Sequence, residues 1–264
     1  MFECTPTNVA LTPFPQTMAY AAAMARLGAR ARRVDINGSV LMLQRPGLRL
    51  ISRLPVTDAR LQRLALRCLA RFAGALIVTP EDDLRGFRLI PLVTSAHHAV
   101  WDLAGDMRRG MDAKWRNRLV AAERAGLRAT PGLAGALQRL AAAEAGQRSA
   151  KGYASLPPAF SLALPDHSLR LWEWRQGGAV RAAMAFVVEG GTATYHLGHA
   201  DRVARAASAH NVMLWQAACA LRSEGVRWLD LGSVSDAAPG LMRFKLGTGA
   251  ALHRLGHTLL VLPG

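Results

Sequence analysis

Lysine is nearly missing from this chain. Of 33 basic residues only Lys114, Lys151 and Lys245 are lysines, and the rest are arginines. Acids are scarce too, 18 in all, which leaves a formal net charge of +15 and a sequence pI of about 11.3. An Arg-rich composition explains Arg over Lys but not the deficit of acids. The imbalance favours anionic partners: nucleic acid, phosphorylated metabolites or an anionic membrane face. Cysteine is limited to Cys4, Cys68 and Cys219. An odd count with no CxxC spacing argues against a disulfide framework and a zinc site, and for a reducing, cytoplasmic compartment. No apolar run is long enough for a bilayer span, and the opening MFECTPTNVALTPFPQ lacks the basic-then-apolar pattern of a secretory leader. There is no GxSxG elbow for a serine nucleophile. His97-His98 has no partners at metal-ligand spacing, so no metal is expected.

What is present is a folded composition: 264 residues, 51% apolar, with no low-complexity block. PFPQTMAYAAAMARLG (13–28) reads as a Pro-led helix ending at Gly28. Strands separated by turns at Asn37-Gly38 and Pro46-Gly47 follow over 30–56. TDARLQRLALRCLARFAG (57–74) reads as a helix capped by Thr57. Its Leu61, Leu64, Cys68 and Phe72 form one apolar stripe, expected to face the core, and Arg60, Arg63, Arg67 and Arg71 form a second. Strands are expected at 75–80, 86–93 and 97–103. The polar stretch DMRRGMD (106–112) marks the expected boundary between an N-terminal domain, 1–105, and a C-terminal domain, 106–264. Helices over 113–127 (Trp115, Leu119 and Ala122 inward) and 130–147 come next. Strands at 169–175, 179–190 and 192–200, a helix over 204–225, a strand at 226–232 and a terminal strand at 257–263 complete the chain. The two halves echo each other weakly in the order of their elements.

Three segments read together carry a family likeness. KWRNRLVAAERAGL (114–127) is a basic helix ending in Gly. VMLWQAACALRSEGVRWLDLGSV (212–234) is a helix, a Gly and a strand ending in Asp-Leu-Gly. PGLMRFKLGTGA (239–250) holds Phe-Lys before a run of glycines. In that order the chain resembles the FemABX-type peptidyl and aminoacyl transferases of the GNAT superfamily. The likeness is specific in the C-terminal half and loose before residue 105. It implies an α/β (α+β) fold of two tandem GNAT-like domains, with mixed, mostly antiparallel sheets flanked by helices. It also implies transfer of an aminoacyl group from aminoacyl-tRNA to an amine of a small molecule or cell-envelope precursor. It maps the family's Phe-Lys pair onto Phe244 and Lys245, and a strand tyrosine onto Tyr195. The chain departs from the family in lacking a coiled-coil arm. It departs from other GNAT enzymes at HADRVARAASAHNV (199–212), which has no Gly-x-Gly pyrophosphate loop. That counts against ordinary acetyl-CoA use and leaves tRNA or another carrier; the expected co-substrate is an aminoacyl-tRNA or, in the alternative, an acyl-CoA, with no resident cofactor.

Acylating an amine requires a neutral nucleophile, an activated acyl group and stabilisation of the tetrahedral oxyanion; no covalent enzyme intermediate is needed. One compact cation at the oxyanion contributes on the order of 3 kcal/mol, and Lys suits that task better than the planar Arg fork. This reading makes Lys245 catalytic, against the alternative of a surface lysine in a turn. Phe244 either stacks on a base or ribose or belongs to the core. Asp230, at the end of its strand, is either a substrate contact or a loop-capping carboxylate. Alternation places Tyr195, Leu197 and His199 on one strand face and His196 on the other, with Tyr195 or His199 as candidate proton relays. Arg63 and Arg67 of the arginine stripe, and Arg116 and Arg118 after the polar break, are candidate phosphate contacts. Two rivals remain: a thioester-dependent N-acyltransferase using acyl-CoA or acyl-carrier protein, and a non-catalytic double-GNAT protein that binds RNA or another polyanion. Peripheral membrane contact is compatible with both.

Overall fold

A computed structural model describes residues 11–152 and 155–264. Cys4 and the opening segment 1–10 lie outside the described residues. Thr17 caps α1 (Met18–Arg26), its side chain accepting from the Tyr20 amide. β1 (Arg30–Asp35), β2 (Ser39–Arg45) and β3 (Leu48–Leu54) turn back on one another at Asn37-Gly38 and Gly47. α2 (Ala59–Ala70), β4 (Ala75–Pro80), β5 (Leu89–Val93) and β6 (His97–Asp102) follow. After the polar stretch come α3 (Ala113–Arg124), β7 (Thr130–Pro131), α4 (Ala136–Lys151) and α5 (Pro158–Leu162). β8 (Leu169–Gln176), β9 (Ala179–Glu189) and β10 (Thr192–Ala200) form a meander. The remaining elements are α6 (Arg202–Ala206), α7 (Ala209–Ser223), β11 (Trp228–Val234), α8 (Pro239–Leu246), β12 (Ala251–Arg254) and β13 (Thr258–Val261).

The strands make two mixed sheets, ordered β1-β2-β3-β4-β13-β5 and β7-β8-β9-β10-β11-β6-β12. Each sheet has one parallel pair, β3/β4 and β10/β11, and is otherwise antiparallel. The strand beyond each parallel pair comes from the opposite end of the chain. β13 enters the first sheet beside β4, and β6 enters the second beside β11. The sheets therefore do not divide at 105/106. β6 lies before that point in sequence, yet its Ala99 and Trp101 are buried with Trp115, Trp174 and Leu214 under the second sheet. The apolar content of β6 ties it to that core, and the polar stretch 106–112 is a loop within it.

Four local expectations change. The helix expected over 130–147 starts only at Ala136, because Thr130-Pro131 pairs with Glu173 and Trp172, and Gly135 turns left-handed ahead of the helix. Residues 239–246 are helical, not a turn, and Pro239 sits in the first turn, where its missing N–H costs nothing. α2 is capped by Asp58, whose carboxylate accepts from the Arg60 and Leu61 amides at 2.9 Å each, not by Thr57. Its face is also reversed. Leu66, Ala70 and Gln62 point inward, and Leu61, Leu64, Cys68 and Phe72 point to solvent. The segment carries two apolar stripes at helical spacing, so periodicity cannot choose between them. Gln62 decides it: its amide donates to the Pro55 carbonyl (2.8 Å) and accepts from the Thr57 amide (3.2 Å). Arg49, fully buried, then donates to the Leu69, Phe72 and Gly74 carbonyls at 2.6 Å each and closes the helix's C-terminal end.

Candidate active site

β10 and β11 run together only from Thr192/Trp228 to Thr194/Asp230 and then part. Both strands break register there. β10 bulges at His196, between the pairs Tyr195/Phe186 and Leu197/Ala185. β11 loses its pairing with β6 between Asp230 and Ser233, where Gly232 adopts φ +80°. The bulge also overturns simple alternation. Tyr195 packs into the core shared with α3 and α7, whereas Leu197 packs with Leu140 and Ala141 of α4.

α8 brings Lys245 to the parting strands. Its Nζ donates to the Ser233 carbonyl at 2.7 Å, and a Cβ on Gly232 would lie 3.6 Å from it. Lys245 is 6% exposed, the reverse of a surface lysine. Burial lowers its pKa to about 8, with the Asp230 carboxylate pulling the other way. Asp230 is 1% exposed and lies within its strand, not on a loop. Its Oδ1 accepts from the Gly232 amide at 2.7 Å, and its Oδ2 accepts from Arg53 Nη1. The guanidinium holds this carboxyl far below the usual range, and the carboxylates raise Arg53 in return.

Arg53 reaches in from the other sheet. It sits at a register break of β3 with φ +53°, a left-handed backbone that a non-glycine residue adopts only when its surroundings fix it. Its fork also grips Glu81, with Nε on Oε1 and Nη2 on Oε2 at 3.0 Å. His253 Nε2 lies 3.5 Å from Glu81, which raises the imidazole's pKa. His98 Nδ1 is 3.0 Å from Arg53 Nη1 and 3.3 Å from Asp230 Oδ1. A guanidinium only donates, so Nδ1 either accepts from Arg53 or, in the other tautomer, donates to Asp230, whose carboxylate also has Arg53 and the Gly232 amide as donors. Arg53, Glu81, His98 and His253 carry no motif in the sequence; His98 lies 132 positions from Asp230 and finds it only through the β6/β11 pairing.

Phe244 is half-buried, with ring centroids 6.3 Å from Trp115 and 5.7 Å from His210, and its carbonyl accepts from Trp115 Nε1 at 3.0 Å. Tyr195 stands edge-on to Phe186 at 5.5 Å and lies over Gly198, where any side chain would collide with its hydroxyl. His199 is close enough to His210 to disfavour protonation of that buried ring, whose pKa burial lowers to about 4. Beside α8 a cleft of about 580 Å³ is lined by Lys114, Arg118 and Arg243, with Trp115 and Phe244. Arg116, two positions from Lys114, projects from a different side of α3 and does not line it. Arg63 and Arg67 are on α2, and line neither this cleft nor the next.

A second cleft, of about 560 Å³, has Glu81, Asp82, Asp102 and Asp106 in its wall beside Trp101 and Trp228, and no lysine or arginine. The loop 106–112 meets the end of α8 at a seam, where the Asp112 amide donates to the Gly247 carbonyl at 2.9 Å; Asp112 and Gly247 line the first cleft, and Gly110 and Gly249 line the second. The glycines there serve that seam. A Cβ at Gly249 (φ +89°) would lie 2.5 Å from the Gly110 carbonyl oxygen, and one at Gly247 would lie 2.7 Å from Trp115.

Two mixed sheets, each with one parallel pair, of which β10/β11 parts after three residues, define a tandem α/β acyltransferase fold. The chain belongs to the acetyltransferase (GNAT) domain family, whose model matches residues 63–246, and is an acyltransferase. Among solved structures it is similar to FemX, at 14% identity and TM-score 0.74, covering 97% of this chain and 94% of that one. It is also similar to the C-terminal domain of a putative lysylphosphatidylglycerol synthetase from Agrobacterium fabrum (16%, TM-score 0.60, 94% and 88% covered). A tandem GNAT protein from the clavulanic acid biosynthesis pathway shares the fold as well (13%, TM-score 0.51, 95% and 89% covered). A search of the curated proteins finds no significant match.

Proposed function

We propose that the chain transfers an aminoacyl group from aminoacyl-tRNA to an amine, with Lys245 as the cation that meets the oxyanion. The observation that carries this reading is Lys245 itself, a buried ammonium at the parting of β10 and β11 whose one hydrogen bond in the structure goes to a backbone carbonyl. A charge kept out of water acts strongly on a charge that develops beside it. In the step, the amine nitrogen bonds to the acyl carbon, the oxyanion forms against Nζ, and the C–O bond to the ribose breaks. The amine loses a proton and the ribose oxygen gains one; Tyr195 and His199 are the candidate relays.

The basic, aromatic cleft suits the donor's nucleotide end, with phosphates on Lys114, Arg118 and Arg243 and a ring against Phe244. The acidic cleft suits an amine acceptor, which arrives as an ammonium ion and loses a proton before it attacks. One feature favours tRNA over coenzyme A. A pyrophosphate cradle needs open amides at a helix N-terminus, but the Ala204 amide in the first turn of α6 is taken by the Asp201 carboxylate at 2.8 Å, and the Asn211 amide at the start of α7 by the Ser208 carbonyl at 3.0 Å. The likeness to a lysylphosphatidylglycerol synthetase domain accords with an aminoacyl donor.

Lys245→Met is expected to stay folded and to lose about 10²–10³ in kcat. Lys245→Arg is expected to rescue poorly, because a planar fork cannot place one compact charge at the same point. Turnover on acyl-CoA with no tRNA present would transfer the reading to a thioester donor. A folded Lys245→Met variant with normal kcat would remove the catalytic role altogether.

A further inference from the structure

The apolar crest of α2 is uncovered within the described residues, whereas the arginines beside it are partly engaged: Arg71 Nε donates to the Gly264 carbonyl at 2.9 Å, and Gly264 packs against Arg67. Leu61, Leu64 and Phe72 are 50%, 59% and 66% exposed, and Phe87 beyond β4 is 75% exposed. Arginines border these apolar tips. Arg60 and Arg71 flank Leu64 on the helix surface. Phe87 has Arg67 and Arg88 guanidinium carbons 6.0 and 5.3 Å from its ring centre. Arg63 ties the helix to the same loop by donating to the Arg85 carbonyl at 3.2 Å. No acidic residue occurs between Ala59 and Phe72. The helix thus presents leucine and phenylalanine at its crest and guanidinium groups along its flank.

We propose that this face docks the protein on an anionic lipid bilayer, with Leu61, Leu64, Phe72 and Phe87 in the boundary between headgroups and acyl chains and the arginines on lipid phosphates. The crest chooses among partners. RNA is held by cations and flat rings, and a central pair of aliphatic leucines has nothing to meet on a phosphate backbone. A bilayer uses both halves of the pattern: apolar side chains enter it, and arginine stems reach back to the phosphates. The lipid site stands independently of the donor and acceptor assigned above, because α2 lines neither cleft.

The test is co-sedimentation of the full chain with phosphatidylcholine vesicles, and with vesicles that also contain phosphatidylglycerol. Binding is expected to the mixed vesicles and to be at least about tenfold weaker on the neutral ones, since each arginine near an anionic surface is worth roughly fivefold in partition. L61S/L64S/F72S keeps every charge and removes the crest; it is expected to lose about tenfold or more on mixed vesicles. Leu64→Ser alone serves if the triple variant fails to fold, and a smaller loss in the same direction is expected. R60Q/R67Q/R71Q is expected to erase the preference for mixed vesicles. The proposal fails if the wild type binds neither vesicle, or if removing the crest leaves binding unchanged. It also fails if the chain binds RNA through these arginines regardless of the crest, or self-associates through the crest in a gel-filtration experiment.

Discussion

Lys245 and Arg53 do opposite things with their charge. Arg53 spends its fork on Glu81, Asp230 and His98, so it is fixed and neutralised. Lys245 has one backbone acceptor and a pKa lowered to about 8 by burial, so its charge is weakly held. Its cation is present below that pH and lost above it. A descending limb of kcat with an apparent pKa near 8 is therefore expected, and it should vanish in Lys245→Arg, whose residual rate stays level because guanidinium does not titrate there. A pH profile of the two enzymes checks this. Arg53→Met leaves Asp230 and Glu81 buried without their guanidinium partner, which is expected to cost about 3–5 kcal/mol by urea denaturation. The sequence singled out Lys245 by its rarity among arginines and Asp230 by its place at the end of an apolar strand, but it offered Asp230 as a substrate contact or a loop cap, not as the buried partner of Arg53. Arg53 was not singled out, because an arginine within a strand looks like any other until the first sheet is set against β11 of the second.

At the level of elements, most strands and helices could be read from the chain, and the errors have physical causes. α2 holds two apolar stripes, and a buried glutamine selects the one that periodicity ranks no higher. β10 carries an extra residue at His196, which no alternating pattern signals. α8 was obscured by the glycines that follow it, which suggested a turn. Those glycines make a sharp test of the seam between the clefts. Gly249→Ala would place a methyl 2.5 Å from the Gly110 carbonyl oxygen on a left-handed backbone. It is expected to destabilise by about 1–3 kcal/mol and to lower activity as the end of α8 shifts. Gly225→Ala is the control: its φ of +88° is similar, but nothing lies within 4 Å of the added carbon. Comparing melting temperatures and kcat in the two variants separates the close contact from the backbone strain.

Across the whole molecule, two buried imidazoles set the acid limit. Burial lowers His196 and His210 to about 4, whereas an unfolded chain binds their protons near 6.5. As pH falls through that window the unfolded state takes up protons that the fold refuses, so stability is lost between about pH 6.5 and 4. The loss is on the order of 3 kcal/mol for each ring, and melting temperature recorded against pH should show it. The reciprocal placement of β6 and β13 makes the two sheets one cooperative unit, and a single calorimetric transition is expected. It also bears on synthesis. Val78 of β4 must wait for Leu259, and at about 5–20 residues per second the ribosome takes roughly 10–40 s to deliver it. Throughout that interval the first sheet has two strand edges open beside β4 and β5, in a nascent chain whose α2 crest is already on display. A chaperone or a membrane surface near the ribosome would meet this protein first by its unfinished N-terminal half.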